Sequence, residues 1–188
     1  MKKLLNITLF FYLLFISLLG YSENIEKLNI ETSHGNMIIE IYPDKAPITV
    51  KNFLSYVDKD FYNGTIFHRV IDGFMIQGGG FTKDMEQKES DAPIKNEANN
   101  GLKNLPYSIA MARTSDPDSA TSQFFINVAN NSFLDYPGQD GAGYCVFGKV
   151  VDGIGNVIKI GKLATTRRNG MSDVPIKRVT IKSITKLN

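Results

Sequence analysis

Phe67-His68-Arg69-Val70-Ile71-Asp72-Gly73-Phe74-Met75-Ile76-Gln77-Gly78-Gly79 is the stretch on which the reading of this chain turns. With Ile66 before it, it holds two short apolar runs, 66–71 and 74–77, punctuated at Asp72-Gly73, each of strand length. One charge stands out. Strand alternation puts Arg69 on the same face as Phe67 and Ile71, and an arginine is rarely buried without a partner. On spacing alone two readings stand side by side: a structural ion pair or hydrogen-bonded plug, or a guanidinium held at the rim of an apolar pocket and aimed at a substrate.

Further short apolar segments follow at 107–112, 124–128 and 144–150, separated by Gly, Pro and Asn. Upstream, 27–32 and 36–42 alternate in period two around Ser33-His34-Gly35, the pattern of a hairpin. Pro47 suits the first turn of a helix, and Val50, Phe53, Leu54 and Val57 recur at i, i+3, i+4 and i+7, so a helix is expected that stops before Asn63-Gly64. A second helix is expected after Asp152, with Ile154, Val157 and Ile158 inward and Gly161 as its stop. A closing strand is expected at 176–186, where Ile184 falls out of phase and predicts a bulge. Many short strands with two helices predict a mainly β fold, a closed antiparallel barrel capped by helices; a sandwich has similar spacing.

The bulk properties bound the function. The chain has 188 residues, a one-domain length. Its net charge of +2 comes from Lys2 and Lys3; the remainder carries 19 Lys and Arg against 19 Asp and Glu, which gives no basic stripe for nucleic acid. Lys2 and Lys3, the largely apolar run 4–19, and Gly20 and Ser22 form the pattern of a signal peptide over 1–22, with Glu23 as first mature residue. That run is shorter than the roughly 20 residues that span a bilayer, so cleavage is expected rather than stable membrane insertion. The domain is then 23–188, exported to a periplasm or, as second choice, secreted. Cys145, the only cysteine, reads as core packing.

Elimination narrows the chemistry. Two histidines, His34 and His68, and one cysteine do not make a usual zinc site, and no Walker loop, nucleophile elbow or dinucleotide fingerprint is present. No metal and no cofactor are expected. His68 reads as a hydrogen-bonded structural residue rather than a base.

The opening stretch resembles the cyclophilin signature FHRVIxGFMxQGG at every fixed position. Ala46-Pro47, Val50-Lys51-Asn52-Phe53, Ile109-Ala110-Met111-Ala112, Ser122-Gln123-Phe124-Phe125-Ile126 and Val146-Phe147-Gly148-Lys149-Val150 resemble other blocks of that family in order, so the likeness covers nearly all of 27–187. The resemblance implies a closed eight-stranded antiparallel barrel with two capping helices and a peptidyl-prolyl cis–trans isomerase activity. It implies Arg69 as the catalytic arginine, Phe74, Met75, Phe125 and Leu134 as the proline pocket, and Gln77 as a donor to the substrate backbone. Ala112 and Arg113 match the stretch that pairs with the peptide as an added strand. Three positions depart from the common family pattern: Phe133 stands where many members have Trp, Tyr144 where many have His, and Arg113 where many have Asn, choices that resemble bacterial exported members. Phe133 keeps an aromatic wall without the indole N–H, which implies weakened affinity for cyclosporin. Gly80 replaces an Asp. Tyr144 is open between wall and filler. The implied partners are proline-containing unfolded or partly folded polypeptides, met by a monomer. The rival function is a proline-peptide binding or holdase module without catalysis, and a third reading is a scaffold tethered by an uncleaved 1–22.

Overall fold

The computed structural model describes residues 24–187, so the signal expected at 1–22 lies outside the described residues. Strands β1 (Glu26–Thr32) and β2 (Gly35–Ile41) form the expected hairpin. Leu28, Ile30 and Thr32 face inward from β1, and Met37, Ile39 and Ile41 from β2, so period two decides both the face and the register.

Helix α1 (Pro47–Asp58) begins at its proline and buries Thr49, Val50, Phe53, Tyr56 and Val57. Its N-cap, Ala46, has no side-chain oxygen to offer. Glu97 supplies that function from a distance, accepting hydrogen bonds from the Ile48 N–H at 3.1 Å and the Thr49 N–H at 2.8 Å. A carboxylate there satisfies orphan donors and complements the helix dipole.

The remaining strands are β3 (Thr65–Ile71), β4 (Met75–Thr82), β5 (Ser108–Met111), β6 (Phe124–Asn127), β7 (Val146–Asp152), β8 (Thr165–Arg168), β9 (Met171–Pro175) and β10 (Ile181–Leu187), with α2 (Ile154–Gly161) after β7. Of the ten strands in the described residues, all but β8 and β9 form one antiparallel sheet in the order β10-β1-β2-β7-β5-β6-β4-β3. The sheet curls around Phe53 of α1, whose ring lies 5.6 Å from Phe124 and 5.1 Å from Phe147. Cys145 sits in this core, and burial pushes its thiol up to about 11.

Three expectations need correction. The barrel is open, not closed: β3 and β10 end the sheet order, and they meet only where the Gly64 and Phe67 N–H groups donate to the carbonyls of Ile181 and Val179, both at 2.9 Å. The cause lies in residues 176–180. The chain bends at 176–177 and forms no strand up to 179, leaving one bridge between Ile66 and Thr180. The closing strand therefore starts at Ile181 rather than 176, although the bulge is present: Thr32 pairs with Ile181 and Glu31 with Ser183, so both Ile181 and Ile184 are buried. In α2 Val157, Ile160 and Gly161 are buried and Ile154 packs against the core, while Ile158 is exposed. The β8–β9 hairpin, turning at Asn169-Gly170, is an additional two-stranded sheet that the pattern reading leaves out.

Candidate functional site

The outer face of the β3-β4-β6-β5 wall carries the candidate residues. Cross-strand register aligns Arg69 with Gln77, Gln77 with Phe125, and Phe125 with Ala110. Alternation along β6 sends neighbouring rings to opposite sides. Phe124 is fully buried in the main core, whereas Phe125 joins Met75, Ala110, Leu134 and Val146 in a second apolar cluster with Phe74, Ala112 and Tyr144 against it. Gly79, at a φ of +84°, lets the sheet close over the core: a Cβ there would lie 2.9 Å from the Tyr62 ring.

A cleft of about 100 Å³ opens over this cluster, and Arg69, Phe74, Met75, Gln77, Ala112, Arg113, Phe125, Leu134 and Tyr144 line it. Phe133, the tenth candidate, stands one layer out. It is 46% exposed and stacks on Phe74 with ring centroids 5.7 Å apart. Tyr144 is wall: its ring meets the edge of Phe125 at 5.9 Å. The slot is thus apolar on its floor and sides, with a cation and an amide at one rim.

Arg69 reaches that rim by a break in alternation. Phe67 pairs with Gly78 and Arg69 with Gln77, so His68 is an extra residue on β3, and Phe67 turns into the core while Arg69 and Ile71 stay outside. The expectation that Arg69 shares a face with Phe67 is overturned by this bulge, a device that re-aims side chains next to sites. The Arg69 side chain is about two-fifths exposed, and its ion pair is with Asp173, 3.8 Å from Nε.

Gln77 Nε2 donates to Gln123 Oε1 at 3.0 Å. Gly80 makes room for this partner, since a Cβ there would fall 2.4 Å from Gln123 Cγ. The Arg113 guanidinium is 2% exposed and tied down by Asp140, by the Gly143 carbonyl at 2.9 Å and by the Thr114 carbonyl at 2.9 Å, with its centre 4.2 Å above the Tyr144 ring. It holds the Asp140 carboxyl well below the ordinary range. Arg113 therefore braces the loop behind the cleft, and only its surface borders the slot. Ala112 extends β5 by one bond, its N–H donating to the Gln123 carbonyl at 2.9 Å.

His68 lies beneath this surface, its ring 4.6 Å from Phe81 and its Nδ1 without a partner. Burial pushes its pKa down to about 4; a backbone hydrogen bond at Ile66 opposes the shift and the Arg69 charge adds to it. The unfolded chain takes up this proton near the ordinary value of 6.5, the folded chain only near 4. The contribution is complete above the unfolded value and is lost as the pH falls through that window, a cost of about 3 kcal/mol. Urea unfolding between pH 7 and pH 4 is expected to show this loss, with a flatter slope for His68→Leu; equal slopes would remove His68 as the cause.

Pattern reading misses the polar shell that holds the site. Asn127 and Asn131 are buried; Asn127 Nδ2 donates to Ser108 Oγ at 2.9 Å, and Asn131 Nδ2 donates to the Phe74 carbonyl at 2.9 Å, fixing the 3-10 turn at Ser132–Leu134 against Phe74. An asparagine closing an apolar run, as at Phe124-Phe125-Ile126-Asn127, is the available signal. Asp173 is missed as well. Among the described residues no group of three or more His, Cys, Asp or Glu is placed to hold a metal ion.

The protein-family model described as cyclophilin type peptidyl-prolyl cis-trans isomerase/CLD matches residues 27–186. Peptidyl-prolyl cis-trans isomerase B of Escherichia coli (strain K12) is 57% identical over 160 residues, covering 84% of this chain and 98% of its own. A peptidyl-prolyl cis-trans isomerase of Acinetobacter baylyi is 57% identical over 84% of this chain and 83% of its own. A crystal structure of a cyclophilin type isomerase from Cryptosporidium parvum, in the presence of the dipeptide Ala-Pro, superposes with a TM-score of 0.75 at 29% identity, covering 86% of this chain and 99% of that one.

Proposed function

The chain belongs to the cyclophilin-type peptidyl-prolyl cis–trans isomerase family and is itself a peptidyl-prolyl cis–trans isomerase, and from that premise we propose that Arg69 is its catalytic cation and that its clients are exported, proline-containing polypeptides. The observation that carries the first part is the placement of a partly exposed arginine side chain on the same small cleft as Phe74, Met75, Phe125 and Leu134.

Rotation about the peptide bond is opposed by amide resonance, a barrier of about 18–20 kcal/mol, and X–Pro bonds exchange unaided in tens to hundreds of seconds. In the twisted amide the nitrogen regains its lone pair. A fixed cation that donates to that nitrogen, or to the adjoining carbonyl, favours the twisted state over the planar ones. Arg suits this better than Lys, because its planar fork stays charged and can address two acceptors. The apolar slot holds the proline ring still while the preceding carbonyl turns, and Gln77 meets the flanking backbone. The Ala-Pro dipeptide of the Cryptosporidium parvum structure is of the same chemical class as this proposed occupant.

Residues 1–22 support the export reading: a charged start, a largely apolar run and a small-x-small end. The periplasm is the proposed destination. The rival, a binding or holdase module without turnover, has no use for an exposed arginine at the rim.

Two measurements test the proposal. The purified protein is expected to accelerate isomerisation of an X–Pro peptide, with cyclosporin inhibition weakened because Phe133 lacks an indole N–H; a rate equal to the spontaneous one overturns it. The mass of the mature N-terminus is expected to begin at Glu23, and retention of residues 1–22 overturns the cleaved-export part alone.

A further inference from the structure

The carboxylate that meets Arg69 comes from outside the eight-stranded sheet. Asp173 Oδ2 stands 3.8 Å from Arg69 Nε, and both side chains are about two-fifths exposed, 43% and 39%. The contact uses the Nε edge of the guanidinium. Among the described residues no other hydrogen bond or ion pair of Arg69 is formed, so both terminal nitrogens are left for a bound molecule.

The backbone of the β8–β9 hairpin accounts for where this carboxylate lies. Thr166 pairs with Val174 and Arg168 with Met171, so Arg167 stands opposite both Ser172 and Asp173, a bulge on β9. Asp173 takes a left-handed conformation, with φ at +62°, which Asp and Asn tolerate better than most residues. Its neighbour Val174 is buried against Ile66, Phe81 and Met85. Ile66 belongs to β3, the strand that carries Arg69. The hairpin is thus anchored on the strand of the arginine, and its bulge turns one carboxylate toward the guanidinium.

We infer that Asp173 is a positioning residue for the isomerase reaction: it holds the Nε edge of Arg69 so that the two terminal nitrogens are presented to the X–Pro amide. This rests on the reading of Arg69 as the catalytic cation. An arginine on an open rim samples many rotamers, and ordering it in advance removes a cost that would otherwise fall on the transition state. The partner sits on the edge that substrate does not need.

The test compares kcat and KM of the purified full chain with those of Asp173→Gly, Asp173→Asn, Arg69→Ala and the double variant Arg69→Ala with Asp173→Gly. Glycine and asparagine both accept the left-handed backbone, and unchanged thermal midpoints verify that the hairpin persists. Asp173→Gly is expected to lower kcat about two- to fivefold, the range of an exposed ion pair, with KM unchanged. Asp173→Asn is expected to lose about as much, since it removes the charge, and at 3.8 Å there is no hydrogen bond to Nε for an amide oxygen to keep. The advantage of the wild-type chain over Asp173→Gly shrinks at high salt, and in the Arg69→Ala background Asp173→Gly costs nothing further. An unchanged or raised kcat in Asp173→Gly, a change confined to KM, or the same fold loss with and without Arg69 overturns the inference. If Arg69→Ala loses turnover and Asp173→Gly does not, the positioning role alone falls; if Arg69→Ala keeps wild-type turnover, the catalytic assignment falls with it.

Discussion

Arg69→Ala is expected to lower kcat/KM for an X–Pro peptide by about one to two decades while leaving the fold intact. The magnitude follows from what the guanidinium contributes. A charge-assisted hydrogen bond made in the transition state is worth about 1.5–3 kcal/mol, and each 1.36 kcal/mol is a decade. The fold survives because the side chain is partly exposed and its ion pair with Asp173 is a surface pair, of a kind that contributes about 1 kcal/mol or less to stability. The loss should appear mainly in kcat, because a twisted amide gains more from the cation than either planar isomer does. Arg69→Lys keeps the charge and loses the fork, so it is expected between wild type and alanine. A proline-isomer assay with urea unfolding of the same preparations decides the matter. Wild-type turnover in a folded Arg69→Ala protein would remove the role assigned to this residue.

How Arg69 comes to the rim was only half legible in the sequence. Period-two alternation placed it with Ile71, correctly, and with Phe67, wrongly, because one extra residue at His68 resets the phase of β3. The bulge leaves no trace in the sequence, because Phe67, Arg69 and Ile71 still recur at the spacing of an unbroken strand. The phase break at Ile184 was visible because a buried isoleucine followed Ile181 at an odd spacing, and the register of β1 with β10 carries that bulge. Helix α1 was legible for the same reason: its proline and its i, i+3, i+4, i+7 stripe are local facts. Ile158 of α2 was misplaced because a two-turn helix with isoleucine or valine at 154, 157, 158 and 160 offers more apolar positions than one face can bury. The β8–β9 hairpin carries its turn signal, Asn169-Gly170, but Thr165, Thr166 and Arg167 on one side are exposed, so no alternation marks the strand. Its hold on the domain comes from Val174, and Asp173 beside it has meaning only once the hairpin is folded against β3. The open seam was hidden likewise, since residues 176–180 read as a strand start and the chain instead bends at 176–177. The resemblance named ten candidates together, and nine of them line one cleft. The asparagine supports of that cleft were not legible, because side-chain networks join residues far apart in sequence.

Phe124 and Phe125 are expected to separate stability from turnover, although they are neighbours on one strand. Phe124 is fully buried, with its ring 5.6 Å from Phe53, 5.6 Å from Tyr62 and 6.0 Å from Phe67, edge-on to each. Removing it leaves a cavity walled by three rings, of which Phe53 and Tyr62 already pack on one another at 5.3 Å and cannot both collapse inward. Phe124→Ala is expected to cost about 3–5 kcal/mol of stability, while kcat/KM per folded molecule stays near wild type, because no atom of that ring borders the slot. Phe125 is 4% exposed and faces the other way, between Met75, Leu134 and the Tyr144 ring, on a cleft that is open to solvent. Tyr144 and water can move into the space its ring leaves, so Phe125→Ala destabilises less. Its larger effect is on the occupant: a proline ring deprived of that surface loses burial of the order of one aromatic side chain, about 1.5–3 kcal/mol, or one to two decades in kcat/KM. Urea midpoints and turnover normalised to the folded fraction, measured on both variants, give a crossed pattern if β6 divides core from site as described. A kinetically silent Phe125→Ala, or a Phe124→Ala that loses turnover at undiminished stability, would mean that the two faces of this strand have been assigned the wrong way round.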